Sequence, residues 1–424
     1  MLTLISPLSS PSSVVTRAES RRRDGELSVW GSLAAVRSWG VSRILAMMLV
    51  LGALAAGLLF ADTAFAETGA AETGAAEEES PWASFRGNAE QTGVATSPLA
   101  AELKPRWVFE ADDAIEATAA IAGGRVYVAS MGGTLYALSL EDGEVVWSYD
   151  AGAAVRSAPL VAKGTVYFGD EGGVLHAVKV EDGEERFKVT TEGEVTSAPN
   201  LAEGCLLFGS YDQNLYCVDP VSGEQRWAVE TANPVHGSPA IHDGAAVSAG
   251  CDGVLRRVRL SDGKVTTEIP LGGYVASSVA VVGDKAYVGS YESEVLGLDL
   301  AAAEVLWRYR HPTRKFPFYA SAAVSGDHVV IAGRDKMVHA LNRESGEAHW
   351  TFPTRARIDG SPVIVGDRVF AGGQTGVLYA LALKDGEELW SYDLGAPLDA
   401  SPAVGEGHLV LGNADGLVYA FGGP

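Results

Sequence analysis

The chain has 424 residues, a formal net charge of −22 and an apolar content of 47%, enough for a large core. Its 50 glycines recur at regular intervals, which favours many short strands joined by tight turns over a disordered, glycine-rich chain. Residues 1–66 carry six basic and four acidic side chains, leaving 26 basic against 50 acidic; a surface that acidic repels phosphate backbones and excludes general nucleic-acid binding.

In chain order, the first feature is the apolar run 44–60, with Arg43 before it and Ala64-Phe65-Ala66 after it. Basic, apolar and small-residue regions in that order predict a secretory signal over 1–66, cleaved after Ala66; the rival reading is an uncleaved N-terminal membrane anchor. Residues 1–40 are long for such a leader, which an upstream initiation codon would explain. Residues 67–80, ETGAAETGAAEEES, have too little apolar surface to fold and read as an acidic linker. A lead-in segment occupies 81–106.

From there a repeat of about forty residues dominates. A Ser-Pro or similar element recurs with its proline slot at Ala119, Pro159, Pro199, Pro239, Val279, Ala323, Pro362 and Pro402. Each unit holds an apolar strand, a Gly-containing turn, a second strand such as Val126-Tyr127-Val128, and a third such as Leu135-Tyr136-Ala137-Leu138. An Asp-Gly or Ser-Gly turn then leads to a fourth strand ending near tryptophan. Four strands per forty residues is the period of a β-propeller blade. The first three strands occur eight times. The fourth-strand slot is filled seven times, by Trp147, Phe187, Trp227, Thr267, Trp307, Trp350 and Trp390. The missing strand is expected at Arg106-Trp107-Val108-Phe109, from the other end of the repeat region. The sequence thus predicts an all-β, eight-bladed propeller of four-stranded antiparallel blades over 107–424, closed by the strand around Trp107. One tryptophan per blade at one repeat position is expected to pack between neighbouring sheets, not to bind a planar ligand.

Cys205 and Cys217 lie on two arms of one predicted hairpin and could bridge. The register does not set them directly opposite, so buried free thiols are the preferred reading. His176 and His339 occupy slots filled by tyrosine in sister repeats, and the other histidines show no ligand spacing, so no metal site is expected. The Asp-Gly turns lack the ligand pattern of a calcium loop.

The longest gap between repeats, 44 residues followed by 39, falls in the stretch 308–319. Propeller connectivity places this inter-blade loop on one face with the turn carrying Arg334 and Lys336 and the loop carrying Arg355 and Arg357. Arg310, Arg314, Lys315, Phe316, Phe318, Arg334, Lys336, Arg355 and Arg357 are therefore the candidate partner-binding residues, suited to an acidic partner. The competing reading pairs these arginines with Asp335, Asp359 and Glu344. The opposite face collects acidic turns such as Asp142, Asp182, Asp367 and Asp385, which predicts an electrostatically two-sided molecule.

The repeat core, seen in Tyr287-Val288-Gly289-Ser290 and Trp307, resembles the PQQ-like repeat family. That superfamily of propellers includes the quinoprotein alcohol dehydrogenases and the outer-membrane assembly factor BamB. The resemblance covers 107–424, and Trp82-x-x-Phe85-Arg86-Gly87-Asn88 looks like the lead-in that precedes such propellers. It implies one of two functions. A BamB-like protein would be a non-catalytic, exported scaffold for protein partners, monomeric, periplasmic or extracellular, acting in envelope or outer-membrane protein assembly. The alternative is a PQQ-dependent oxidoreductase or a small-ligand-binding propeller. A dehydrogenase would need a quinone, calcium, an aspartate base and, in many cases, an adjacent-cysteine disulfide. No Cys-Cys pair exists, and the blades leave little chain for a pocket and lid, so the scaffold is expected, with no catalytic residue, cofactor or metal.

Overall fold

A computed structural model describes residues 82–423. The expected signal segment, its cleavage after Ala66 and the linker 67–80 lie outside the described residues. Eight sheets, each of four antiparallel strands taken in chain order, form blades 1 to 8 at 120–150, 160–190, 200–230, 240–270, 280–309, 323–353, 363–393 and 403–422. Blade 8 supplies three of its own strands, and Lys104–Glu110 is the fourth, paired antiparallel with Leu417–Gly422 (Val108 opposite Tyr419). That strand begins at Lys104, three residues before the boundary expected from the repeat. The first strands of blades 1 and 8 are also neighbours.

Alternation explains the layering. The second strand of each blade is almost wholly buried, as in Thr165–Gly169 of blade 2, because both faces of each sheet meet other blades. Outermost strands alternate: Glu185–Thr190 exposes every second residue or more.

The Ser-Pro repeat has a physical role at the axis. In blades 4 to 8 the hydroxyl accepts a backbone N–H from the equivalent position one blade earlier: Ala198 to Ser238 at 2.8 Å, then Ser238 to Ser278, Ser278 to Ser321, Ser321 to Ser361 and Ser361 to Ser401 at 2.9–3.0 Å. Ser401 N–H reaches the Thr118 hydroxyl at 3.2 Å, linking blade 8 to blade 1. This chain of bonds corrects the alignment: Ser321 is the latch serine, so the slot after it is Ala322, not Ala323. First strands start at Ala280, Ala323 and Val363, giving spacings of 43 and 40 in place of 44 and 39.

The tryptophans latch the blades further out. Indole N–H groups of Trp107, Trp147, Trp227, Trp307 and Trp350 donate to the carbonyls of Leu140, Val180, Leu260, Arg343 and Leu383 in the following blade, at 2.8–3.0 Å. Each ring lies on the glycine of that blade's last turn, such as Gly143 under Trp107 and Gly263 under Trp227. Those glycines have positive φ, and a Cβ there would fall within 2.9 Å of the ring. Trp390 instead stacks beside Tyr392 and meets Phe421 edge-on.

The lead-in plugs one end of the axis. Carbonyls of Trp82, Ala83, Ala89, Glu90, Thr92 and Gly93 accept N–H groups from Ile121, Val161, Ile241, Val281, Val324 and Ile364, the middle residues of six first strands, at 2.7–2.9 Å. Blade 3 joins through the Asn200 amide, which donates to Ala89 O at 2.9 Å. Arg86, fully buried, donates to the Pro362 and Ala322 carbonyls at 2.7 and 2.8 Å, and Val94–Ala95 adds a parallel strand to blade 7.

The expectation for the cysteines is corrected. Cys205 and Cys217 form a disulfide, where free thiols were preferred. Cys217 does face Leu207, not Cys205, so the register was read correctly, but the diagonal Cα–Cα distance of 5.4 Å lies in the bonding range. Cys251 is free. His176 and His339 are buried as their slots suggest, yet each is also hydrogen-bonded at both ends. His176 meets Asp170 at 2.8 Å and Tyr149 at 3.1 Å; His339 meets Asp335 at 2.9 Å and Tyr309 at 3.1 Å.

Candidate functional site

In each blade the loop entering it and the turn between its second and third strands share a face, opposite the plug. They are tied backbone to backbone: Tyr291 N–H to Tyr274 O at 2.9 Å, Arg334 to Pro317 at 3.3 Å, Gln374 to Arg357 at 3.1 Å. The fold therefore brings Arg310, Arg314, Lys315, Phe316, Arg334, Lys336, Arg355 and Arg357 onto neighbouring loops of blades 6 and 7.

Many of these cations have intramolecular partners. Arg334 holds Asp359 through two bonds of 2.7 and 3.1 Å and stacks its guanidinium 3.6 Å above the Tyr319 ring; Arg357 reaches the same carboxylate at 3.1 Å. Asp359 thereby raises the Arg334 pKa, with its hydrogen bond as the leading cause. Arg310 pairs with Glu294 at 2.8 Å, a partner not foreseen. Arg314 donates to the backbone carbonyl of Asp335 at 2.6 Å, while Oδ2 of that residue's carboxylate meets His339; Glu344 pairs with Arg343. Lys315, Lys336 and Arg355 are exposed and make no ion pair among the described residues. Phe316 is 51% exposed. Phe318 is 1% exposed and leaves the candidate set: its ring fills the space above Gly289 and Gly333, against His339, because those glycines leave room for it.

The face is not uniformly basic. Loops entering blades 1 and 3 carry Asp112, Asp113, Glu116, Glu192 and Glu194 on the same side. The expected contrast between two faces is therefore a contrast between sectors, with the candidate cations gathered on loops around blades 6 and 7. Turns on the plugged face are acidic as expected: Asp142, Asp182, Asp367 and Asp385 are all exposed.

Around the axis, one repeat-equivalent position per blade lines a mouth: Glu116, Arg156, Thr196, His236, Ala276, Tyr319, Asp359 and Asp399. A second ring surrounds it and ties to it. Arg156 bridges Glu116 (3.2 Å) and Glu171 (2.9 Å), His236 bonds the Tyr211 hydroxyl (2.9 Å), and Gln374 bonds Asp399. The open-mouthed cavity these residues line is about 160 Å³ and ends near Phe85 of the plug. Burial, and then the nearby Asp359, raise the pKa of Asp399; burial also raises that of Glu116 and lowers that of His236. A carboxyl whose pKa is higher folded than unfolded keeps its proton longer in the fold, so its contribution to stability falls as pH rises through that interval. Asp399→Asn is accordingly expected to raise the melting temperature at pH 7, with the gain shrinking as pH falls toward about 4 and gone below it; thermal melts across pH check this.

Sequence reasoning missed the aromatic arc beside the basic sector. Tyr274 is 59% exposed and Tyr211 38%, while Tyr291 packs on Tyr319 with ring centres 4.7 Å apart. Tyr211 and Tyr291 share one repeat slot, two residues after a conserved-length second strand in their blades, and only superposing the repeats would have revealed it.

The family model for the outer membrane protein assembly factor BamB matches three overlapping stretches, 99–194, 171–316 and 304–422. Among solved structures, BamB from Moraxella catarrhalis superposes with a TM-score of 0.65 at 19% identity, over 76% of this chain and 98% of that one. Quinohemoprotein alcohol dehydrogenase from Comamonas testosteroni gives 0.70 at 13% identity, over 83% and 82%. The computationally designed Ika8 protein gives 0.66 at 15%, over 75% and 99%. At these identities the superpositions show the propeller fold alone. No curated protein matches by sequence.

Proposed function

The chain belongs to the family of the outer membrane protein assembly factor BamB, and from that footing we propose that it is a non-catalytic interaction scaffold of the cell envelope, engaging an acidic protein partner. The observation that carries this reading is the sector of blades 5–7, where Lys315, Lys336 and Arg355 stand unpaired beside Phe316 and Tyr274 on a protein of net charge −22. Exposed aromatics beside cations, on loops held by a rigid ring, suit a protein contact. Two separate features support export: the leader-like 1–66, and the Cys205–Cys217 disulfide, which persists in oxidising compartments.

Quinone-dependent oxidation is less well supported. The axial cavity of about 160 Å³ is below the roughly 300 Å³ at which ligand pockets begin. Glu116, Asp359 and Asp399 face into it against the single cation Arg156, itself held by Glu116 and Glu171, a poor setting for a quinone that itself bears carboxylates. The bonded cysteines are twelve residues apart within blade 3, not adjacent. These residues do not fit pyrroloquinoline quinone.

A photo-crosslinking residue at Phe316 tests the reading, with Val221, 78% exposed on the plugged face, as its control. Irradiated in the native envelope, the Phe316 position is expected to yield a discrete protein adduct and the Val221 position none. Adducts from Val221 alone would overturn the assignment.

A further inference from the structure

Read along the chain, the histidines show no metal-ligand spacing, but blade 6 assembles a set that linear spacing conceals. Asp327 sits in the turn between the first and second strands, His328 opens the second strand, and His349 lies on the fourth, two strands away. The fourth strand carries a β-bulge there: Ala340 faces Trp350 and Leu341 faces Ala348, so His349 is the residue without a partner. A bulge re-aims its side chain, and the His349 ring comes to 4.7 Å, centre to centre, from that of His328.

One donor atom from each residue lies within 4.8 Å of the other two. His328 Nδ1 is 2.7 Å from Asp327 Oδ1, while His349 Nε2 is 3.8 Å from Asp327 Oδ2, too long for a hydrogen bond. Around a tetrahedral ion with bonds of about 2.1 Å, neighbouring donors lie roughly 3.4 Å apart. The observed spacings bracket that value, so small side-chain rotations would close the set on an ion. Two imidazoles and one carboxylate suit a late first-row divalent ion and disfavour calcium or magnesium, which take oxygen ligands. Exposure of Asp327, 64% at its side chain, leaves room for water in the remaining positions.

We propose that Asp327, His328 and His349 form a surface site for a zinc-class divalent ion. The site is on the rim of blade 6, independent of the partner-binding loops. Cobalt(II) titration of the full chain, followed by its visible absorption, tests the proposal. One saturable equivalent is expected, displaced by zinc. His349→Ala and Asp327→Asn should each weaken binding by about tenfold or more, since loss of mere supporting contacts around a metal already costs 10–100-fold. His242→Ala, on another blade, should change nothing. Both ligand positions are exposed, so melting curves without metal should be unaltered. Absence of a saturable band, many weak equivalents on acidic groups, or His349→Ala titrating like the unsubstituted protein would overturn it.

Discussion

Arg86→Ala is expected to destabilise the protein by about 3–5 kcal/mol, read as a shifted midpoint in urea unfolding. The guanidinium is fully buried, has no carboxylate partner and donates to the carbonyls of Ala322 and Pro362 in blades 6 and 7. Burial pushes its pKa down, to about 9. Its removal strands two buried acceptors, each costing about 1–3 kcal/mol, and opens a cavity at the plug. Gly93→Ala is a second route to the same failure. Its φ is +67°, and a Cβ there would fall 1.9 Å from an Arg86 nitrogen. If Arg86→Ala unfolded at the same urea concentration as the unsubstituted protein, the plug would not be part of the cooperative fold.

The inter-blade tryptophans come next in size. Trp307→Ala should cost about 3–5 kcal/mol through lost burial and a partly unfilled cavity, because its ring is 9% exposed, lies on Gly346 and bonds Arg343 O. Trp227 is only half-buried, so Trp227→Ala belongs at the lower end, about 3 kcal/mol. Gly263→Ala should also destabilise, since its φ is +69° and a Cβ would meet the Trp227 ring at 2.8 Å. Equal melting temperatures for Trp307→Ala and the unsubstituted protein would contradict the latch.

The propeller was legible because its causes repeat. A serine that must reach the preceding blade's backbone, a glycine beneath an indole and a buried Leu-Tyr-Ala-Leu strand recur with the geometry that demands them. Seven fourth strands against eight first strands left one place to fill, and the strand with Trp107 occupies it. Non-repeating parts were harder to read. Residues 82–95 follow no period, because each carbonyl answers a different blade, so the lead-in was legible as a motif but its role as a plug was not. Phe318 looked like an exposed loop aromatic because nothing local signals the space above Gly289 and Gly333. The arginines were read as one patch, but Glu294 and Asp359 come from different blades and neutralise several of them. The Cys205–Cys217 bond turned on a diagonal distance that register alone does not give.

The partner-binding sector is tested most directly by reversing the cations that no internal carboxylate holds. Lys315→Glu, Lys336→Glu and Arg355→Glu, combined, should leave the melting temperature unchanged and lower recovery of the crosslinked partner by about tenfold or more, as expected when like charges face each other across an interface. Lys384→Glu, exposed on the plugged face, serves as the matched control. Recovery equal to the control would contradict an acidic partner at blades 5–7.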